Sequence, residues 1–350
     1  MFKLNGSYSY IDPSFCISVS DFNTLRQSNP KSVIFTSLDS NSHHKSSDTE
    51  SGSEDEMNCL PEPITSLFDP TCKDLSQFEL LKHYKQLYED FSQTYFEKQY
   101  DQLAKVTYQQ NLSLAWQVHL AGRIIVSICF NVFHTNKFVL SESLIQEVMQ
   151  YKKDFYSKFT QYGKKMENCA KNTFYEVQLK KHSNFSFINS GFYVMADTPF
   201  LGASPDGIFT CSCHGKGVLE IKCPYNYKNG FINWQSDEKF LLNSNGLKSN
   251  HPYFFQMQLQ MFVCKVTFGE FFMWSPVEQN NYLQCTVQRD NDFLKVVVDV
   301  LAKYFFNVIL PEIVSRKRDE DFQHRKQCCF CMKPEFGLMI SCSNASCSKK

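Results

Sequence analysis

Two short segments hold residue types that can work together on a phosphate. The first is Ser204-Pro205-Asp206-Gly207, and the second, beginning fourteen residues after the aspartate, is Glu220-Ile221-Lys222. In an extended strand successive side chains alternate, so Glu220 and Lys222 share one face while Leu219, Ile221 and Cys223 point to the other, toward a core. The run HGKG at 214–217 reads as the turn that brings Asp206 back toward Glu220. Two carboxylates and an ammonium in one cleft suit phosphodiester hydrolysis. Hard oxygen ligands hold Mg²⁺ or Mn²⁺, the cation polarises a phosphoryl oxygen and acidifies a bound water, and the lysine offsets developing negative charge or orients that water. Glu-x-Lys alone also describes an ordinary ion pair on an edge strand; its distance from the SPDG turn is what gives it meaning.

The flanking sequence must supply the elements that position this set. Residues 76–134 place apolar and aromatic side chains at mixed three- and four-residue spacing, which predicts helix, and 139–181 predicts one or two more. Residues 150–182 carry eight lysines against three acids, which fits a solvated helix face or a surface turned to a polyanion. The period then changes. FYVMAD, ASPDGIFT and VLEIKC within 191–223 predict strands. Residues 252–265 predict a helix with proline near its start, 268–275 and 282–288 predict strands, and 293–310 an amphipathic helix with Phe293, Val296, Val297, Val300, Leu301, Tyr304, Phe305 and Val308 on one stripe. The order predicts an α/β (α+β) domain at 76–312, a central mixed β-sheet flanked by helices.

Several ordered blocks between about Gln110 and Trp274 extend the pattern: Gly163-Lys164-Lys165-Met166-Glu167, LGASPDG, VLEIKCP, and Tyr253-Phe254-Phe255-Gln256-Met257-Gln258. They resemble the PD-(D/E)xK nuclease superfamily and, within it, the YqaJ viral recombinase and lambda exonuclease branch. The resemblance implies a restriction-endonuclease-like core and a Mg²⁺-dependent DNA nuclease, exonucleolytic, acting in recombination or mobile-element DNA processing. It implies that Asp206, Glu220 and the Ile221 carbonyl ligate Mg²⁺, that Glu167 serves a second metal or its water, and that Lys222 sits at the nucleophile. It further implies that Gln256 helps place the scissile phosphate and that Gln258 contacts DNA. Taken singly, Glu167 reads as a solvated helix acid and Gln256 as a helix-surface amide. The family also has a block in which Arg and Ser grip a 5′-phosphate. Here Trp116, Arg123 and Ser127 match it, but Leu120 stands where its first arginine belongs, which puts 5′-end recognition in doubt. Family members can encircle DNA as rings, so a homo-oligomer is an open expectation.

The chain balances 36 basic against 36 acidic residues. Residues 37–60 hold six of those acids, many serines and few large apolar residues, a composition expected to remain a disordered linker; 1–36 is unassigned. The rest carries a mild basic excess, which permits DNA as a partner without requiring it. No apolar run approaches the ~20 residues of a membrane span and no secretory leader is evident, so an intracellular protein without a membrane partner is expected. Its fifteen cysteines then read as thiols or metal ligands. Residues 326–350 resemble the first half of a PHD zinc finger, expected to be incomplete, in which Cys329, Cys331, Cys342 and Cys347 could form a makeshift Zn²⁺ site. A chromatin partner is expected only if that finger is completed. Cys211, Cys213 and His214 cluster just before Glu220, as metal ligands or as a tight turn with partly exposed thiols. Arg316, Lys317 and Arg318 form a short basic run, a nuclear signal or a solvated helix end; on balance a nuclear location is expected. The rival to the nuclease reading is a catalytically altered DNA-binding or chromatin-associated scaffold derived from such an enzyme.

Overall fold

Ser76 starts the first long helix by a reciprocal cap: its hydroxyl accepts from Glu79 N–H while the Glu79 carboxylate accepts from Ser76 N–H at 3.0 Å. That helix, α1 (Gln77–Thr94), buries Leu80, Tyr84, Tyr88 and Phe91 on one stripe. The computed structural model describes residues 60–319 except 137–139, 152–156, 233, 238–239, 245 and 279–280. These belong to one compact unit, Asp55–Asp319, so residues flanking the expected 76–312 join the same body. The expectations for 1–36, for the linker at 37–60 apart from Leu60, and for the finger at 326–350 lie outside the described residues.

The helical expectation over 76–134 resolves into α1, α2 (Glu97–Val106), α3 (Leu114–Leu120), a two-residue strand β1 (Ile124–Ile125) and α4 (Cys129–His134). Then come α5 (Glu142–Val148) and the 22-residue α6 (Lys158–Leu179). The strands are β2 (Ser186–Ile188), β3 (Leu201–Gly202), β4 (Gly207–Cys211), β5 (Gly215–Lys222), β6 (Leu242–Asn243) and β7 (Gly246–Leu247), followed by helix α7 (Pro252–Val263), β8 (Phe268–Trp274) and β9 (Tyr282–Gln288). The C-terminal part is α8 (Asn291–Tyr304), a π-turn at Phe305–Ile309 and α9 (Leu310–Ser315). FYVMAD forms no strand; it contributes a single bridge, Tyr193 to Ala203, and the edge strand is β2 instead. Val296, expected on the buried stripe of α8, is exposed, and Leu294 takes its place in the core.

The main sheet runs β2-β4-β5-β8-β9, antiparallel except for the parallel pair β5–β8. A parallel neighbour requires a crossover, and α7 supplies it. Strand β5 lies in the middle, and its two faces meet different helices. Leu219, Ile221 and Cys223 join Ala170 and Phe174 of α6 in one apolar cluster. Val218 joins Met257, Leu259 and Met261 of α7 in the larger cluster on the opposite face. The alternation expected from the sequence is therefore realised, and Glu220 and Lys222 fall on the α7 side. Among the described residues no helix is long and apolar enough to cross a membrane.

Candidate active site

Strand β4 begins at Gly207, paired with Leu219, while β5 continues three residues further to Lys222. Asp206 occupies the step just before β4 begins. Its backbone N–H donates to Leu219 O at 2.9 Å, and its Oδ2 accepts from Ile221 N–H at 2.6 Å, replacing a ladder partner that β4 no longer offers. The turn before it is fixed from several sides. Ser190 Oγ and Gln110 Nε2 donate to Pro205 O at 2.6 and 2.9 Å, and Trp116 Nε1 donates to Ser204 Oγ at 2.8 Å. Gly207 is required by packing, since a Cβ there would stand 2.0 Å from the Phe187 ring of β2.

Glu220 is only 3% exposed, yet both of its carboxylate oxygens meet donors. Lys222 Nζ and Gln256 Nε2 approach Oε1 at 2.5 and 2.7 Å, and Gln260 Nε2 approaches Oε2 at 2.6 Å. The ammonium of Lys222 also lies 4.8 Å from the centre of the Tyr253 ring. Burial works against charge on Lys222, but Glu220, Tyr253 and Asp206 outweigh it and hold the ammonium above the ordinary lysine range. Asp206 is pushed the other way. Burial, then the charges of Glu220 and Glu167, raise its carboxyl well above the usual 3.8, against the opposing pull of Lys222 and the Ile221 N–H.

Glu167 lies on α6 and pairs with Lys171 one turn on, at 2.8 Å. Gly163, the first residue of its G-x-x-x-E block, is placed where even an added Cβ would lie 4.0 Å from Cys223 O, so the helix runs close over the end of β5. The charges of Glu220 and Glu167 both act on the Asp206 carboxyl. The oxygens of Glu167, Asp206 and Glu220 do not all lie within 4.8 Å of one another. Each instead has a protein partner: Lys171, Ile221 N–H, and the Lys222–Gln256–Gln260 trio. This donor set fits a divalent cation. It offers hard carboxylate oxygens, and a cation held there would offset the repulsion from Glu220 and Glu167 that adds to burial in raising the Asp206 carboxyl.

Other expected contacts fall elsewhere. Arg123 is fully buried; its Nε donates to Pro199 O and its Nη1 to His119 O, both at 2.8 Å. The guanidinium is thus turned inward, tying the loop carbonyl of Pro199 to the helix carbonyl of His119, and is not presented to solvent where a phosphate could meet it. Leu120 packs with Tyr100, Leu103, Phe192 and Val194. Gln258 is fully buried, donating to Gln288 O at 2.8 Å and accepting from Asp290 N–H at 2.7 Å, so both ends of its amide hold the β9–α8 junction and none is free for DNA. Ser127 is exposed. Sequence reasoning missed Gln260. The signal was its i,i+4 spacing from Gln256, which stacks both amides on one helix face, while Gln258 points about 200° away.

A mixed sheet between helices, with an acid–acid–lysine set where its central hairpin ends, fits the PD-(D/E)xK superfamily. Residues 115–267, somewhat under half of the chain, match the YqaJ-like viral recombinase domain. Similar solved structures include an alkaline exonuclease from Laribacter hongkongensis, 18% identical over 57% of this chain and 94% of that one, with a TM-score of 0.43. Another is the shutoff and exonuclease protein of Kaposi's sarcoma-associated herpesvirus, 11% identical over 65% of this chain and 77% of that one, TM-score 0.45. A phage-related exonuclease from Haemophilus somnus is 13% identical over 53% and 95%, TM-score 0.39. No curated protein matches the chain.

Proposed function

We propose that this protein is a Mg²⁺-dependent deoxyribonuclease that removes nucleotides from DNA ends in recombination or mobile-element processing. The observation that carries the reading is the convergence of Asp206, Glu220 and Lys222 where β5 runs on past the start of β4. Asp206, Glu220 and the Ile221 carbonyl would hold the cation, with Glu167 beside them. When bound, the cation polarises the phosphoryl oxygen and lowers the pKa of a water. Gln256 and Gln260 orient Glu220 by gripping its two oxygens. Lys222, kept charged and steadied over Tyr253, faces the negative charge that develops on the phosphoryl oxygens. The PD-(D/E)xK-like arrangement and the YqaJ-like match support the nucleic-acid substrate class.

End-labelled linear duplexes, with and without a 5′-phosphate, test the proposal. In Mg²⁺ the wild-type protein should release nucleotides and Asp206→Ala should not; in EDTA neither should. The inward placement of Leu120 and Arg123 favours weak dependence on the 5′-phosphate. It also favours a second reading, a DNA-binding protein that has lost turnover. Wild-type protein that shifts the duplex on a gel but leaves it uncut in Mg²⁺ and in Mn²⁺ would establish that reading.

A further inference from the structure

We propose that His182, Cys211, Cys213 and His214 form a second, structural metal site that holds one Zn²⁺ between the tip of the β4–β5 hairpin and the segment leaving α6.

The ligand atoms of these four residues all lie within 4.8 Å of one another. Around the ring of contacts, His182 Nδ1 is 3.1 Å from Cys213 Sγ, Cys213 Sγ is 3.4 Å from Cys211 Sγ, and Cys211 Sγ is 3.8 Å from His214 Nδ1. A tetrahedral zinc with ordinary Zn–S and Zn–N bond lengths sets S···S near about 3.8 Å and S···N near about 3.5 Å. The observed spacings lie within a few tenths of an ångström of these values. The two imidazoles cross at 80°, with centroids 5.1 Å apart, as two ligands on different corners of a tetrahedron do. The donor set, two thiols and two imidazoles, is the soft and borderline set that zinc prefers over Mg²⁺.

The backbone holds these groups in reach. Three ligands come from the hairpin tip, where Gly215 takes φ +84° and lets the chain reverse. The fourth lies 31 residues before Cys213 and is carried to it by Ser212 N–H donating to Ser183 O at 3.0 Å, and by Asn184 Nδ2 donating to Ser212 Oγ at 2.9 Å. Hydrogen bonding from His182, the main influence, draws the Cys213 thiol down to about 6. Four protein ligands leave no open position, so the site is structural. It is separate from the acid cleft: Cys211 lies five residues along β4 from Asp206, roughly 16 Å at strand rise. Its consequence reaches the cleft all the same, because α6 carries Glu167 and the hairpin leads into Asp206 and Glu220.

The test is metal content of the full-length protein, purified under reducing conditions and dialysed without chelator, with Zn²⁺ added back to stripped protein. Cysteines 329 and 331 lie near the C-terminus, so Cys329→Ser/Cys331→Ser serves as the reference variant. We expect Cys211→Ser/Cys213→Ser to lose one zinc per chain that the reference variant keeps. Co²⁺ substitution should give visible bands of a tetrahedral sulfur–nitrogen site, absent from the Cys211→Ser/Cys213→Ser protein. His182→Ala keeps both thiols and lies off the sheet, so it decides the matter if the double variant fails to fold; it should weaken Zn²⁺ retention against a competing chelator at least tenfold and shift the Co²⁺ bands. Equal zinc content and equal retention in wild type and His182→Ala would overturn the proposal. So would a Cys211–Cys213 disulfide trapped by alkylation in the freshly purified protein.

Discussion

Replacing Asp206 by asparagine should make the metal-free protein more stable while abolishing its response to Mg²⁺. Burial, with Glu220 and Glu167 adding repulsion, raises the Asp206 carboxyl well above its ordinary value, so the fold prefers the neutral form. Asparagine is that neutral form in nearly the same shape, and its Oδ1 can still accept from the Ile221 N–H now bonded at 2.6 Å. What is lost is the charge assistance of that bond, on the order of 1 kcal/mol. What is relieved is the larger sum of desolvation and repulsion. Single stabilising substitutions commonly yield about 0.5–2 kcal/mol, which in a domain of this size is on the order of 1–8 °C in Tm. The pH sign follows from linkage. Between the unfolded value of about 3.9 and the raised folded value, the native state binds more protons than the unfolded state, so stability falls as pH rises through that window. The wild-type advantage is therefore present at low pH and lost above it, and the Asp206→Asn variant should show a flatter slope. Thermal melts in EDTA from pH 4 to pH 9, repeated with Mg²⁺, measure all of this. A lower melting temperature for the variant in EDTA at pH 8, or an undiminished rise on adding Mg²⁺, would refute the electrostatic account of the site.

Three further outcomes follow from the same contacts. Gln260→Leu removes the donor at 2.6 Å from Glu220 Oε2 and should raise the half-saturating Mg²⁺ concentration for cleavage by about 10–100-fold, read from a metal titration. Arg123→Ala strips donors from Pro199 O and His119 O and opens a cavity; we expect a loss of about 3–6 kcal/mol in urea unfolding, with no selective loss on 5′-phosphorylated ends. Near-normal stability with such a selective loss would restore the phosphate-gripping role. Gly207→Ala forces a Cβ to within 2.0 Å of the Phe187 ring and should cost about 1–3 kcal/mol, recovered in large part by adding Phe187→Leu, with Tm as the measurement.

The acid–acid–lysine set was legible because it depends on local rules. Strand alternation assigns Glu220 and Lys222 to one face, and a hairpin returns Asp206, whatever surrounds them. The central mixed sheet and the crossover helix were legible for the same reason, through period and length. Gly215 and Gly217 look like turn residues and place the hairpin tip at 214–217, two or three residues late; in the fold β5 already starts at Gly215, and Gly217 is a strand glycine facing Phe209 and Phe268. Orientation toward distant partners was not legible. Nothing local to Arg123 says that its guanidinium will meet Pro199 O, and nothing local to Gln258 says that Asp290 will claim its carbonyl oxygen. His182 lies 31 residues from the thiol it meets, beyond any motif spacing that would tie it to Cys211 and Cys213.

The block containing Trp116, Leu120 and Arg123 packs into the protein at most of the positions where its resemblance implies phosphate contacts. Trp116 holds Ser204 in the turn before Asp206, while Leu120 fills an apolar cluster and Arg123 ties two carbonyls, so three of its four marked positions have structural partners within the protein. Only Ser127 remains exposed. A neutral hydroxyl is a weak anchor for a charged terminus, and losing charge-assisted contacts removes most of what distinguishes a phosphorylated end from a hydroxyl one. On the nuclease reading, placement of DNA then falls to long-range attraction by surface cations such as Lys164 and Lys165, exposed on the helix that carries Glu167. Contacts of that kind are to the phosphate backbone and independent of the terminus, so binding should weaken steeply with salt while remaining indifferent to 5′-phosphorylation. Fluorescence anisotropy with two labelled duplexes that differ only in the 5′ group, titrated across a salt series, measures both properties at once. A several-fold preference for the phosphorylated duplex that persists at high salt would show that a specific end pocket exists and that these exposed lysines are not what positions the substrate.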